Sequence, residues 1–407
     1  MKRRRVKITG IGFVTPAGVG KEAFQAGILE NRSHVHPIKR FPEDAGAFVG
    51  SEVKKFNIAE FFDNHGTKRM PRHTQFALAA AKLAIEDAKL TRSVAGALDP
   101  VVVTGTSLMD SGVINKTIED VTRKGPRFGL TRVVFQGPVA SIAAAVAQYI
   151  GAGRTLSLQS ACCSGADAIG HAAAMIANGE TDLAICGGTE APLYYHPMLE
   201  LKMAELSPAT SERADQLNRP FDLWRTTGVI GEGACMMILE PDSSPRSGYA
   251  EVAGYSFATD SGKRAGDGLH AAIRLCLANA GVSPGQVDMI SAWGPGHREL
   301  DAVEAAVLRE IFGECLDRIP TVSIKGAIGN PFAAAGAIQI GCAALGIQQS
   351  FIPPTVNWRH ADPACRLNLS SQARYLQFSF ALINSHGLSG TNAAILLRRC
   401  DATMVRT

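Results

Sequence analysis

The stretch that decides the fold is Leu156–Gly170, LSLQSACCSGADAIG. A short apolar run, Thr155 to Leu158, enters Ser160-Ala161-Cys162-Cys163-Ser164-Gly165. A run of Ala, Ile and Met follows through Ile176. This is the pattern of a strand, a sharp turn and a buried helix, with a cysteine where the helix begins. A helix N-terminus presents unpaired N–H groups and partial positive charge. Such a terminus lowers a thiol's pKa and can hold an oxyanion. Two readings stand at this point: a nucleophile, or an inert core thiol, the usual state of free cysteine.

Outward from this stretch, the chain reads as an ordinary globular protein. Its 407 residues suffice for one large α/β unit or two moderate domains. With 46% hydrophobic and 19% charged residues it can bury a core, which excludes a disordered chain. A net charge of +4 is too small to argue for nucleic acid. The basic start, Lys2 to Arg5, has no signal-peptide core behind it before Pro16 and reads as a solvated flank. No apolar run reaches spanning length, so no membrane is expected. Nine cysteines without a CxxC argue against a disulfide framework or a structural zinc site. A reducing, cytoplasmic setting and no metal are the expectation.

Strand and helix patterns alternate along the chain. Strands are predicted at 6–10, 100–105, 182–186, 234–239, 250–254, 289–293, 320–323, 375–383 and 393–397. Helices are predicted at 21–29, 74–90, 139–150, 268–280, 301–312 and 333–346. Residues 109–130 read as a polar excursion, and 192–227 as loop-rich. Pro241 to Ser247 is the predicted joint between halves 1–247 and 248–407. Alternation of this kind gives an α/β fold with mainly parallel sheets. Each half has one helix with almost no polar face, 166–177 and 333–346, and each must be covered on all sides. Two such helices imply a layered core with sheets on either side.

Spread over nearly the whole chain, the motifs resemble one family. They are Thr9-Gly10-Ile11-Gly12, Ser160-Ala161-Cys162-Cys163-Ser164-Gly165, Gly187-Gly188-Thr189-Glu190-Ala191 and Arg219-Pro220-Phe221-Asp222. Gly231-Glu232-Gly233-Ala234, Asp301-Ala302-Val303-Glu304, Lys325, Ile352-Pro353-Pro354-Thr355 and Gly390-Thr391-Asn392-Ala393 complete the set. Together they resemble the elongating β-ketoacyl-acyl-carrier-protein synthases. The resemblance implies a thiolase-like fold of two pseudo-symmetric βαβαβαββ halves in an α/β/α/β/α arrangement. It places the nucleophile on Cys162, with Cys163 a pocket or core thiol. It implies oxyanion donors at the backbone N–H groups of Cys162 and Leu388, and a buried supporting charge pair, Lys325 and Glu304. Acyl-tunnel residues fall at Leu108, Met109 and Asp110. The implied partners are an acyl carrier protein and a second ketosynthase subunit, identical or not. No cofactor is implied beyond the phosphopantetheine that carries the substrates.

The chain departs from that family where the chemistry of condensation sits. Trp293 and Asn330 stand where the family has its two histidines, and Pro295 and His297 where it has pantetheine-touching threonines. Thr226 and Thr227 replace the segment with the usual Asp. An amide at 330 can still donate to a carbonyl. Indole donates one N–H and exchanges no proton near neutral pH. His386, in place of a Phe, and His297 are the candidate replacement bases. For His386 the alternative is an aromatic substitute in a packed gate, and for His297 a solvated loop residue. His171, inside the buried helix, reads as a satisfied core residue. Three functions remain open: an acyltransferase acylated on Cys162 that condenses poorly, a condensing enzyme using His386 or His297, and a non-catalytic chain-length-factor-like partner.

Overall fold

The structure is a computed structural model and describes residues 3–54, 56–63, 66–108 and 110–400. Its first half contributes strands β1 (Val6–Thr15), β2 (Val101–Gly105), β3 (Arg154–Leu158), β4 (Ala184–Glu190) and β5 (Gly233–Pro241). The second half contributes β6 (Ala250–Thr259), β7 (Met289–Ser291), β8 (Thr321–Val322), β9 (Phe380–His386) and β10 (Thr391–Arg398). In space the first five run β1-β5-β4-β2-β3 and the second five β6-β10-β9-β7-β8. Adding five to each label converts one order into the other. The directions match too. The β1–β5 and β5–β4 pairs are antiparallel, and the β4–β2 and β2–β3 pairs are parallel. The second half repeats this pattern pair for pair. A short antiparallel contact, Lys7 with Glu251 and Ile8 with Ala250, joins the two halves into one sheet.

Strand sequences explain the layering. In β4 and β5, successive residues face different cores. Cys186, Cys235, Met237 and Leu239 point to the centre, while Ile185, Ala234, Met236 and Ile238 point outward. Both faces are buried, so these strands read as continuous apolar runs. The centre holds helices α5 (Ser164–Asn178) and α9 (Ala333–Gln349), each touching strands of both halves. Outside the first half lie α2 (Arg72–Asp87) and α4 (Ala140–Ile150). Outside the second lie α7 (Asp267–Ala280) and α8 (Arg298–Phe312). The result is the layered thiolase-like α/β/α/β/α arrangement. Small residues let its centre close. A Cβ on Gly165 would sit 2.3 Å from the Ala333 carbonyl oxygen, and one on Gly188 2.6 Å from the same atom.

Several elements differ from the sequence reading. The excursion at 109–130 contains α3 (Ser111–Lys124), capped by the Asp110 carboxylate accepting from the Val113 N–H. Its polar residues are a solvated helix face. The loop-rich region includes α6 (Tyr195–Met203). Strand β6 continues to Thr259, and β9 begins at Phe380 and ends on His386, later than expected at both ends. The glycines at 10, 12, 187 and 188 lie inside strands, where neighbours leave no room for a Cβ, and do not end them. Helix α1 (Lys21–Leu29) forms as expected. Of the basic start, Lys2 lies outside the described residues. Arg4 is not a free flank: it bonds Asp182 and the Ile176 and Thr181 carbonyls. Among the described residues, no helix is long and apolar enough to cross a membrane.

Candidate active site

The turn between β3 and α5 sets Cys162. Ala161 adopts a left-handed conformation at φ 52°, unusual for a residue with a Cβ. Local hydrogen bonds hold it there. The Cys163 N–H donates to the Ser160 carbonyl at 3.1 Å, and the Ser164 N–H to the Ala161 carbonyl at 3.1 Å. The Ser164 hydroxyl donates to the same Ala161 oxygen at 2.6 Å and accepts from the Ser160 N–H at 2.9 Å. Cys162 therefore stands two residues ahead of the helix. It is 3% exposed and packed among Ile38, Phe48, Leu193, Met198, Ile230 and Phe332. The backbone N–H groups of Leu388 and of Cys162 itself lie against its sulfur.

Those donors do not produce an activated thiolate in the free protein, contrary to the helix-terminus expectation. Burial pushes the Cys162 thiol up to about 12, and the nearby Glu190 carboxylate adds to the rise. The Leu388 N–H and the Lys325 charge oppose it. Cys163 is a core thiol, buried beside the Thr391 carbonyl at 3.3 Å.

The β9–β10 turn brings the second half to this cysteine. The Thr391 hydroxyl donates to the Ser160 carbonyl at 2.9 Å, and the Gly387 N–H to the Thr391 carbonyl at 2.7 Å. A Cβ on Gly387 would come within 3.0 Å of the Ala161 methyl, so the two turns lie in contact. His386 is half-buried, its Nδ1 on Asn392 Oδ1. The Asn392 amide donates to Asp260 Oδ1 at 3.0 Å and to the Gly390 carbonyl at 2.9 Å. Its oxygen must then face His386, which donates from Nδ1 and keeps a lone pair on Nε2. Leu388 is 47% exposed, with its backbone turned inward.

Trp293 is 2% exposed and meets the His386 ring edge-on, centroids 5.3 Å apart. Glu304 accepts the Trp293 and Gly294 N–H groups at 2.7 Å each, and the Asn384 amide. Lys325 donates to the Trp293 carbonyl and, at 3.2 Å, to Gln339 Oε1. The expected Lys325–Glu304 ion pair is thus not a direct contact. The two charges clasp the Trp293 backbone from its two ends. Burial lowers the Lys325 pKa to about 8, against the pull of Glu304.

Trp293, Asn330, His297 and Leu388 line one cavity of about 20 Å³ with Leu206, Gly228, Ile230, Pro295, Leu300 and Phe332. Two fully buried side-chain atoms of these residues, Trp293 Nε1 and Asn330 Oδ1, have no hydrogen-bond partner in the protein. An unpaired buried polar group costs about 1–3 kcal/mol. His297 is not a solvated loop residue. Its Nδ1 accepts the Glu299 N–H at 3.3 Å and caps α8. Its Nε2 therefore carries the proton at neutral pH, and burial lowers its pKa. It is poorly set to act as a base.

Leu108 does not line this cavity. Its N–H sits 3.3 Å from Glu190 Oε1. Met109 lies outside the described residues. Asp110 is buried 3.2 Å from His73. His171 is half-buried rather than core, on a surface groove beside Tyr255. Sequence reading missed Glu190 and Phe332. An acid ending a strand that is apolar but for Thr189 was the available signal for Glu190, and Phe332 offered none.

Residues 3–244 match the Beta-ketoacyl synthase, N-terminal domain model, and 249–359 the C-terminal domain model. The chain is 31% identical over 414 residues to 3-oxoacyl-[acyl-carrier-protein] synthase 2 of Synechocystis sp., covering 98% of this chain and 99% of that protein. It is 31% identical over 425 residues to the putative polyketide beta-ketoacyl synthase 1 of Streptomyces virginiae, covering all of both. Among solved structures, the ishigamide ketosynthase/chain length factor superposes with a TM-score of 0.90 at 30% identity, over 98% of this chain and 99% of that one. A type II polyketide acyl carrier protein in complex with its ketosynthase gives 0.88 at 28%, over 98% and 100%. The chain belongs to the beta-ketoacyl synthase family.

Proposed function

We propose that the protein is a ketosynthase-like acyltransferase of fatty-acid or polyketide synthesis. Cys162 takes an acyl group from an acyl-carrier-protein or coenzyme A thioester, and decarboxylative condensation is impaired. One observation carries this reading. The N–H groups of Leu388 and Cys162 converge on the sulfur, while the place of the first family histidine holds a buried indole. Backbone donors stabilise the tetrahedral oxyanion of acyl transfer whatever side chain they carry. An indole is bulkier than imidazole and exchanges no proton near neutral pH, which makes it a poor replacement for a histidine that stabilises the enolate of decarboxylation. Phosphopantetheine thioesters supply the substrates, and no further cofactor is required. An acyl carrier protein is the proposed donor, and the chain works as a homodimer or as a heterodimer with a ketosynthase.

A second reading is a chain-length-factor-like partner. The similarity to the ishigamide ketosynthase/chain length factor favours it. Intact-protein mass spectrometry after mixing with octanoyl-carrier or octanoyl-coenzyme A thioester separates the two. The acyltransferase gains one octanoyl mass, lost in Cys162→Ala. An unmodified wild type overturns the first reading and leaves the partner role.

A further inference from the structure

A left-handed residue with a Cβ, such as Ala161, persists only where its neighbours hold it. Ser160, the residue before it, is fastened at its N–H, its carbonyl and its hydroxyl. The N–H donates to the Ser164 hydroxyl at 2.9 Å. The carbonyl accepts the Cys163 N–H at 3.1 Å and the Thr391 hydroxyl at 2.9 Å. The hydroxyl donates to Asp167 Oδ2. Asp167 lies in the first turn of α5, 7% exposed, and its other oxygen accepts from the Tyr255 hydroxyl at 2.9 Å. Tyr255 belongs to β6, so this anchor crosses from the second half. Gly170, three residues after Asp167 and on the same helix face, makes room for it. A Cβ there would sit 2.3 Å from the Tyr255 ring, so the ring lies on α5 with its hydroxyl at the carboxylate.

Ser160 is the common fastening of both oxyanion donors. Ala161 leads from it to the Cys162 N–H, and Thr391 ties to it the β9–β10 turn that carries Leu388. A hydrogen bond to a carboxylate is worth about as much as one such strained residue costs, so loosening one anchor is enough to let the turn relax. We infer that Asp167 and Tyr255 are positioning residues for acyl transfer: through Ser160 they hold the left-handed turn that brings the Cys162 and Leu388 N–H groups together. The role rests on the reading that Cys162 is acylated. In that step the Cys162 sulfur bonds the thioester carbon and the carbonyl electrons move onto oxygen. Collapse breaks the bond to the donor's sulfur, which leaves as a thiol with the proton that Cys162 gave up.

The test measures single-turnover octanoylation of Cys162 by octanoyl-coenzyme A over a range of concentrations, read by intact-protein mass spectrometry. Tyr255→Phe keeps the ring on Gly170 and removes the hydroxyl, and Ser160→Ala removes the other donor to Asp167. Each is expected to lower the maximal rate about tenfold and leave the half-saturating concentration unchanged, because the oxyanion forms only on the way to product. A merely structural contact would lower the melting temperature and leave the maximal rate of the folded protein alone. Circular dichroism at the assay temperature checks that both variants fold, and if one does not the other decides. A wild-type maximal rate in the folded variants, or a change confined to the half-saturating concentration, overturns the inference with acylation left standing. A wild type that gains no octanoyl mass overturns the proposed function itself and this role with it.

Discussion

The turns that lead into α5 and α9 occupy matching places in the two halves, and each contains a non-glycine residue at positive φ. In the first it is Ala161 at 52°, and in the second Phe332 at 40°. Each conformation costs about 1–3 kcal/mol. In the first half the strain lifts Cys162 under two backbone N–H groups. In the second it places Phe332 in the apolar cluster that encloses Cys162. One structural device therefore supplies chemistry in one half and shapes space in the other. Pseudo-symmetry fixes where a site lies, and side chains decide what each half does there.

Three measurements can break or sharpen this comparison. The largest effect concerns the thiol. If the first turn holds a buried neutral thiol, Cys162 alkylation by iodoacetamide rises about tenfold per pH unit between 7 and 10, roughly a thousandfold in all. The sign follows from the raised pKa: only the thiolate reacts, and its fraction grows until pH reaches about 12. A plateau below pH 9 would show an activated thiolate instead.

A smaller effect concerns the ring. Phe332→Ala removes buried surface and is expected to destabilise by about 3 kcal/mol in urea unfolding. It also exposes Cys162 and speeds its alkylation at fixed pH. Because alanine keeps the Cβ and with it the strained φ, an unchanged stability would show that the Phe332 ring adds no packing energy. The smallest effect is Ala161→Gly. Glycine accepts the left-handed conformation, so the melting curve should report a gain of about 0.5–1 kcal/mol, reduced by the freedom glycine has when unfolded. A clear loss would show that the Ala161 methyl contact with Gly387 outweighs the strain.

Much of this was legible in the sequence. Period and composition announced the strands and the two apolar helices, but α5 is not covered on all sides as expected: His171 is half-buried and Ala174 exposed. Cys162 and Leu388 were placed by motif, and the structure brings them together. The partners of His297 and Lys325 were not legible. Whether a histidine caps a helix or takes a proton depends on which backbone N–H reaches it, and spacing does not encode that. Nor could the sequence separate Lys325 from Glu304, since both bind the backbone of one residue rather than each other. The helix α3 was missed because a mostly solvated helix carries only a thin apolar stripe.

The two-residue contact between β1 and β6 has a mechanical consequence. The candidate site draws Cys162 from one half and Leu388 from the other, so a hinge between them would pull the donor from the sulfur. Edge pairing, with α5 and α9 clamped between the halves, removes that hinge. A chain nicked in the connection 242–249 should therefore stay assembled and keep its thiol shielded, with the halves parting only when the whole molecule unfolds.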